Sequence, residues 1–477
     1  MYYEIRGGEV VDLSVLHATI LTIDGKRRVI EDGGIAIEGD KIIDVAKSDE
    51  IISKYGGADE TIDASGMLMI PGLVNAHTHM FQDLLRGIGD DMELMSWLRQ
   101  VIYPVSKSLT KDDVYASSIL GCIEMIKTGT TFAIDNQTVN TSEDQIGSVA
   151  RAIEETGFKG LIARGMKIRT KRTEMWSFPD HLFPNDLDEE VKITEKLIKH
   201  WHGAADGRIQ VCPAPVTLFY STPGLLIEAK RISDEYQVPI HTHIAESPSE
   251  VKSTLEDYNK REVELLYDLG VLGPRFHVVH AVWLDEEEIK MLAEKKANVI
   301  HCPVANMILA SGVAKVPQML KLGVNVALAT DGPASNHNQD MFGVLKTTAL
   351  IHKVTTLDPL AIRCEKVLEM ATLGGARALG LEHEIGSLET GKKADLVLVD
   401  CRKPHIAPLN RAVSALVYCA MGSDVDTVII DGKVVMRQRK IMTIDEDLAI
   451  SKAEEAAEGL LDRSKIRELR NRDWPRT

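Results

Sequence analysis

The chain has 477 residues, 44% of them hydrophobic and 26% charged, a composition that belongs to a soluble globular protein and excludes collagen-like, wholly disordered or membrane-embedded chains. Lys plus Arg number 55 against 71 Asp plus Glu, and the resulting formal charge of −16 repels phosphate backbones and anionic lipid heads, so neither nucleic acid nor membrane is an expected partner. The cysteines (Cys122, Cys212, Cys302, Cys364, Cys401 and Cys419) are dispersed without a CxxC pair, and MYYEIRGGEVVD at the N-terminus has no signal-peptide pattern; cytoplasm is the expected location.

In chain order, residues 8–68 read as short β-rich runs (VVDLSVLHATILTID, GIAIEGDKIIDVA, ETIDASGMLMI) separated by turn pairs at Asp24-Gly25 and Gly39-Asp40. From 69 to about 380, apolar strand-like runs alternate with helical patterns. Eight such runs stand out: MLMIPGLVNAHTH, TTFAID, GLIARG, RIQVCPAP, VPIHTHIAE, FHVVHAVW, NVIHCPVAN and VNVALATDG. Helix starts lie between them, with a cap and first-turn proline at Thr222-Pro223 and a capping-box pattern at Asp285 and Glu288. Eight βα units predict a (β/α)8 TIM-type barrel within the α/β class. The competing doubly wound open sheet lacks a GxGxxG after an early strand.

Residues 386–440 return to the β-rich texture, and neither end alone has strands enough to bury a core. The expected organisation is therefore a small composite β-sandwich from 1–68 and 382–447, a barrel over 69–381, and a charged C-terminal helix and tail over 448–477.

Barrel enzymes carry their chemistry where strands end. The first strand ends in His77-Thr78-His79, and residues i and i+2 of an extended segment point the same way, so both imidazoles can converge on one ion. The fifth ends in His241-Thr242-His243 with Glu246 beyond, the sixth in His280 and the eighth in Thr330-Asp331. These are the residue types of a zinc or ferrous site.

PGLVNAHTHM (71–80), HTHIAES (241–247), VVHAVWL (278–284), HCPVAN (301–306), ATDGPASN (329–336) and GSLETGKKADLVLVD (386–400) together resemble the amidohydrolase superfamily, in order and over nearly the whole chain. The resemblance implies one divalent metal ion, zinc or iron, held by His77, His79, His243 and Asp331. It places Glu246 and His280 around the attacking water, with Asp331 as base and His241 in support. Binuclear relatives bridge their ions with a carboxylated lysine at the end of the fourth strand, and RIQVCPAP has no lysine, which favours a single ion. Such an ion lowers the pKa of water toward neutrality, and a protonated Glu246 would then neutralise the nitrogen of an aromatic ring under attack.

LLRGIGDDMELMSWLRQVIYP (84–104) is similar to the branch that contains methylthioadenosine/S-adenosylhomocysteine deaminases, melamine deaminase and atrazine chlorohydrolase. Nucleoside deaminases of that branch carry sugar-binding residues where this chain has Ser106 and Ala214, so the expected substrate is a small free amino-substituted heteroaromatic ring, triazine- or pyrimidine-like. Trp97 either stacks on that ring, with Gln82 and Thr217 at its edge, or anchors the loop helix in the core; Ser335 and Asn336 are further substrate-binding candidates. Gly332 and Ser335 leave dechlorination of an s-triazine as an alternative to deamination, with nucleoside deamination a second alternative. A scaffold without catalysis would have a broken ligand set, which this chain does not. The resemblance also suggests a homo-oligomer, dimer or tetramer.

Overall fold

Eight short buried runs line up as the strands of a barrel in the computed structural model, which describes residues 11–139 and 141–471. They are β1 (Leu73–Thr78), β2 (Thr130–Gln137), β3 (Lys159–Met166), β4 (Ile209–Pro215), β5 (Ile240–Ile244), β6 (Phe276–His280), β7 (Asn298–His301) and β8 (Asn325–Leu328). Every residue of β1, β2, β3, β5, β6 and β7 is buried, as parallel strands covered on both faces require. The helix starts fall where the sequence places them: Thr222 caps Pro223–Tyr236, and Asp285 and Glu288 form a capping box at the head of Glu286–Lys295.

β1 to β4 pair in parallel in chain order, and so do β5 to β8. The two half-barrels meet through few bonds. At one seam Thr217 bridges His243, whose backbone N–H donates to Val216 O at 3.2 Å; at the other the Asp331 N–H donates to His77 O at 3.0 Å. The residues that close the barrel are thus also residues singled out for chemistry.

The two chain ends meet in one nine-stranded sheet. Met67–Pro71 from the N-terminal end pairs antiparallel with Leu396–Asp400 from the C-terminal end, Met69 opposite Leu398. Val15, Ile20, Ile37, Met69, Leu396, Leu398 and Ile429 share one core cluster there, which is why the two ends need each other. The run MLMIPGLVNAHTH, expected as one barrel strand, is two strands. Met67–Pro71 lies in the nine-stranded sheet and spans the boundary expected after residue 68, while Leu73–Thr78 enters the barrel. Gly72 makes the passage possible, because a Cβ there would stand 1.9 Å from Thr131 Oγ1.

Lys159, at the head of β3, ties barrel to sheet: its Nζ donates to Asp395 Oδ2 and Asp431 Oδ1, both at 2.8 Å. The C-terminal helix runs Glu446–Ser464, capped by Asp445, and lies against helix Lys111–Lys127 with Arg463 donating to Asp113. All six cysteines are free thiols, and no helix among the described residues is long and apolar enough to cross a membrane.

Candidate active site

The C-terminal ends of β1, β5 and β6 and the loop after β8 bring His77, His79, His243, His280 and Asp331 together. Ligand-type atoms of His77, His79 and Asp331 lie within 4.8 Å of one another, as do those of His77, His243 and His280. Asp331 Oδ1 stands 3.3 Å from Nε2 of both His77 and His79, yet neither Asp331 Oδ1 nor His77 Nε2 makes a hydrogen bond. Buried polar atoms left unpartnered at such range are costly, and a cation between them removes the cost. The set therefore fits one divalent metal ion, with nitrogen and carboxylate donors of the kind zinc accepts. His280 and Asp331 hold left-handed backbones, φ 71° and 64°, a strain of about 1–3 kcal/mol each that aims their side chains inward.

The outward ring nitrogens are all engaged. His79 Nδ1–H donates to Asn136 O at 2.6 Å and His243 Nδ1–H to Val216 O at 2.8 Å, which leaves each Nε2 facing the centre. Behind His77 lies a relay of imidazoles. His77 Nδ1 is 2.7 Å from His241 Nε2, His241 Nδ1 is 3.1 Å from His277 Nδ1, and His277 Nε2 is 2.7 Å from Ala378 O. Burial keeps all three neutral, pushing His77 down to about 3, His277 to about 4 and His241 well below its usual range. The carbonyl of Ala378 can only accept, so His277 carries its hydrogen on Nε2, His241 on Nδ1 and His77 on Nδ1. His77 Nε2 is left as a lone pair aimed at Asp331.

Two carboxyls flank this point with opposite charge states. Burial works against ionised Asp331, but positive charge on the imidazoles packed against it, on His79 above all since its own pKa is raised, outweighs burial and holds the carboxyl well below the usual range. Burial, then the charge of Asp331, pushes Glu246 up to about 8. One acid is thus ionised and the other protonated near neutral pH. Ser311 donates to Glu246 Oε1 at 3.4 Å, and Glu246 Oε2 lies 3.5 Å from His280 Nε2. The Asn306 amide donates to His280 Nδ1 at 3.1 Å, which leaves the Nε2–H of that ring toward Glu246.

A cavity opens over these groups, walled by Leu94, Trp97, Tyr103, Leu182, Phe219 and Tyr220. Gln82 and Thr217 line it, and Trp97 is both buried and in the wall, its indole N–H without a hydrogen bond. Ser335 and Asn336 are a different matter, because the loop after β8 folds back on itself. Ser335 Oγ donates to Asp331 Oδ2 at 2.9 Å and Asn336 Nδ2 to Thr330 O at 2.8 Å, so both brace the aspartate's loop instead of lining the cavity. Gly332 has a packing reason as well: a Cβ there would meet Gln82 Oε1 at 2.0 Å.

Ser106, whose hydroxyl donates to Tyr103 O at 2.8 Å, and Ala214, buried inside β4, are also outside the cavity wall. They are poor witnesses for or against a sugar. Besides the apolar wall, sequence reasoning passed over two charged cavity residues, Lys167 and Glu250. Lys167 follows β3 directly, and the strand-end rule applied to every strand would have found it.

Residues 68–435 match the amidohydrolase family. The chain is 39% identical over 454 residues to a 5′-deoxyadenosine deaminase of Methanosarcina mazei, covering 95% of this chain and 99% of that one. It is 39% identical over 442 residues to a 5-methylthioadenosine/S-adenosylhomocysteine deaminase of Syntrophobacter fumaroxidans, covering 92% and 96%. Among solved structures, a zinc-bound adenosine deaminase from Xanthomonas campestris superposes with a TM-score of 0.88 at 31% identity, covering 95% of this chain and 100% of that one. A zinc complex of atrazine chlorohydrolase from Arthrobacter aurescens superposes with a TM-score of 0.86 over 93% and 100% of the two chains, but at 24% identity the likeness speaks to fold alone.

Proposed function

The chain belongs to the amidohydrolase family and is a hydrolytic enzyme of C–N bonds, and on that premise we propose that it is a mononuclear, metal-dependent deaminase of an amino-substituted N-heteroaromatic ring. The observation that carries this reading is the pair of buried, unpartnered atoms, His77 Nε2 and Asp331 Oδ1, facing each other beneath an aromatic cavity that Asp331 and Glu246 line. His77, His79, His243 and Asp331 would hold the ion, zinc first among candidates. Once bound, it supplies a nucleophile at neutral pH by lowering the pKa of water.

The chain's own groups do the rest. Ionised Asp331 accepts a proton from the attacking water, and protonated Glu246 donates to the ring nitrogen next to the carbon under attack, so that negative charge does not accumulate on the ring. His280 Nε2–H orients the water against Glu246. The proton taken up by Asp331 then goes to the departing amine, which leaves as ammonia, and the new hydroxyl returns its proton to Glu246 as it becomes the ring carbonyl. Trp97 and the tyrosine pair Tyr103–Tyr220, whose hydroxyls are 2.7 Å apart, hold a flat ring and exclude bulk water.

The relatives shift the preferred substrate from the free ring expected above to the adenine of a 5′-modified nucleoside. A free ring stands second, favoured by a cavity wall that is mostly aromatic and aliphatic. Mass spectrometry of products from zinc-loaded protein incubated with 5′-deoxyadenosine, 5-methylthioadenosine, S-adenosylhomocysteine, ammeline, melamine and a chloro-s-triazine tests the reading. Exchange of amino for hydroxyl on a ring supports it. Release of chloride alone, or no product from fully loaded protein, overturns it.

A further inference from the structure

Lys167 is 3% exposed and lines the cavity just beyond the end of β3, a strand that supplies none of the candidate metal ligands. Its ammonium donates one hydrogen bond, to Thr138 O at 2.7 Å, and among the described residues no carboxylate oxygen lies within 4.0 Å of it. The acid nearest in influence, Glu190, is already committed: Arg164 grips both its oxygens and Asn185 donates to Oε1 at 2.7 Å. An ammonium has three donors, so two remain to be spent, and Lys167 lines the cavity. Burial without a counter-ion brings the lysine down to about 7, the behaviour of a cation whose partner arrives from outside.

We propose that Lys167 is a substrate subsite that takes an oxygen acceptor, either a carbonyl on the heteroaromatic ring or a carboxylate on a substituent of it. The proposal rests on the ring-deaminase reading above and narrows its substrate. With the amino-bearing carbon at the ends of β1, β5 and β8, the oxygen is held at the end of β3. Substrates with such an oxygen are preferred over isosteres without it. A carboxylate also brings the counter-charge that the fold withholds.

Two matched pairs separate the sources of oxygen: ammeline against melamine, in which an oxygen on a ring carbon replaces an amino group, and S-adenosylhomocysteine against 5-methylthioadenosine, which differ by a carboxylate-bearing tail. The readout is the ratio of kcat/KM within each pair, with calorimetric binding of the same four compounds, for wild type, Lys167→Met and Lys167→Gln, each checked for zinc content. Wild type should favour the oxygen-bearing member of one pair. Lys167→Met should lower that ratio about 10- to 100-fold, mostly through KM, and Lys167→Gln, which still donates, should recover part of it. A fall in the first pair identifies a ring carbonyl and a fall in the second a carboxylate. Ratios unchanged in both pairs overturn the subsite and leave the deaminase reading standing. Wild type that neither binds nor hydrolyses any of the four overturns the deaminase reading, and the subsite with it.

Discussion

Lys159 enters strand β3 and Lys167 follows it; they are 5% and 3% exposed, and only the first has counter-ions. Lys159 sits between Asp395 and Asp431 at the seam between barrel and sheet, and burial works against its charge, but the two carboxylates outweigh it and hold its pKa above the ordinary value. Lys167 has one backbone carbonyl. The difference follows the polarity of a parallel barrel, whose N-terminal face serves stability and whose C-terminal face serves chemistry. The same rim that leaves Lys167 without a counter-ion leaves His77 Nε2, Asp331 Oδ1 and the Trp97 indole N–H without a hydrogen bond. Charges satisfied by the fold and charges kept for a ligand should respond differently to the same kind of substitution.

The largest effect belongs to the rim. Asp331→Asn removes both an ion-holding oxygen and the proposed base, and turnover should fall by at least ~10³-fold with zinc bound less tightly and the fold intact. Steady-state kinetics beside metal analysis check it, and near-normal turnover would remove the mechanism. At the opposite face, Lys159→Met leaves buried Asp395 without its cation and half-buried Asp431 with only Lys393, 3.9 Å away. A loss of about 3–5 kcal/mol in urea unfolding is expected. Because its pKa is raised, the stability from Lys159 is fully present below its unfolded value of 10.5 and is lost only as pH climbs through the folded one. The deficit of Lys159→Met should therefore be constant through neutral pH, and a variant as stable as wild type would erase the contrast between the two ends of β3.

Much of this was legible before any coordinates, for a physical reason. Strand-end histidines spaced by two, an acid three positions on and a terminal aspartate fall on parallel strands whose ends must converge, so His77, His79, His243, His280, Glu246 and Asp331 could be named together and are found together. The break at Gly72 was not legible, because apolar residues continue on both sides of it and the crowding with Thr131 exists only in three dimensions. Nor was the inward turn of Ser335 and Asn336, since no periodicity sets the direction of a loop that folds back on itself. Lys167 and His277 are single polar residues in or beside apolar runs, and they acquire meaning only from the presence or absence of partners far away in sequence.

His277 offers a smaller test of how the rim is prepared. It touches no substrate; it positions His77 by accepting from His241 and donating to Ala378 O. His277→Phe would leave the Nδ1–H of His241 unpaired and release the tautomer of His77. Zinc affinity should weaken about 10- to 100-fold in competition with a chelator. Unchanged affinity would mean that packing alone orients His77 and that the relay adds nothing.

The finest test repeats the lysine-to-methionine exchange at the other end of β3. Lys167 is held near 7 in the folded chain against an ordinary value of 10.5, so between those limits the unfolded chain binds the additional proton. Stability attributable to this group must then rise with pH across that window, and its cost is fully present below about pH 7. The charges that act on it are Glu190, which raises its pKa, and Arg164, which lowers it; neither pairs with it, and each is committed to the other. Methionine has nearly the same length and needs no counter-ion, though it gives up the bond to Thr138 O. At about pH 6, without substrate, Lys167→Met should be more stable than wild type by ~1 kcal/mol, and urea midpoints should show the gap closing toward about pH 9.5. Its sign is opposite to that of Lys159→Met. A variant less stable than wild type at low pH would show that Lys167 already has its counter-charge, and the two ends of β3 would then be alike.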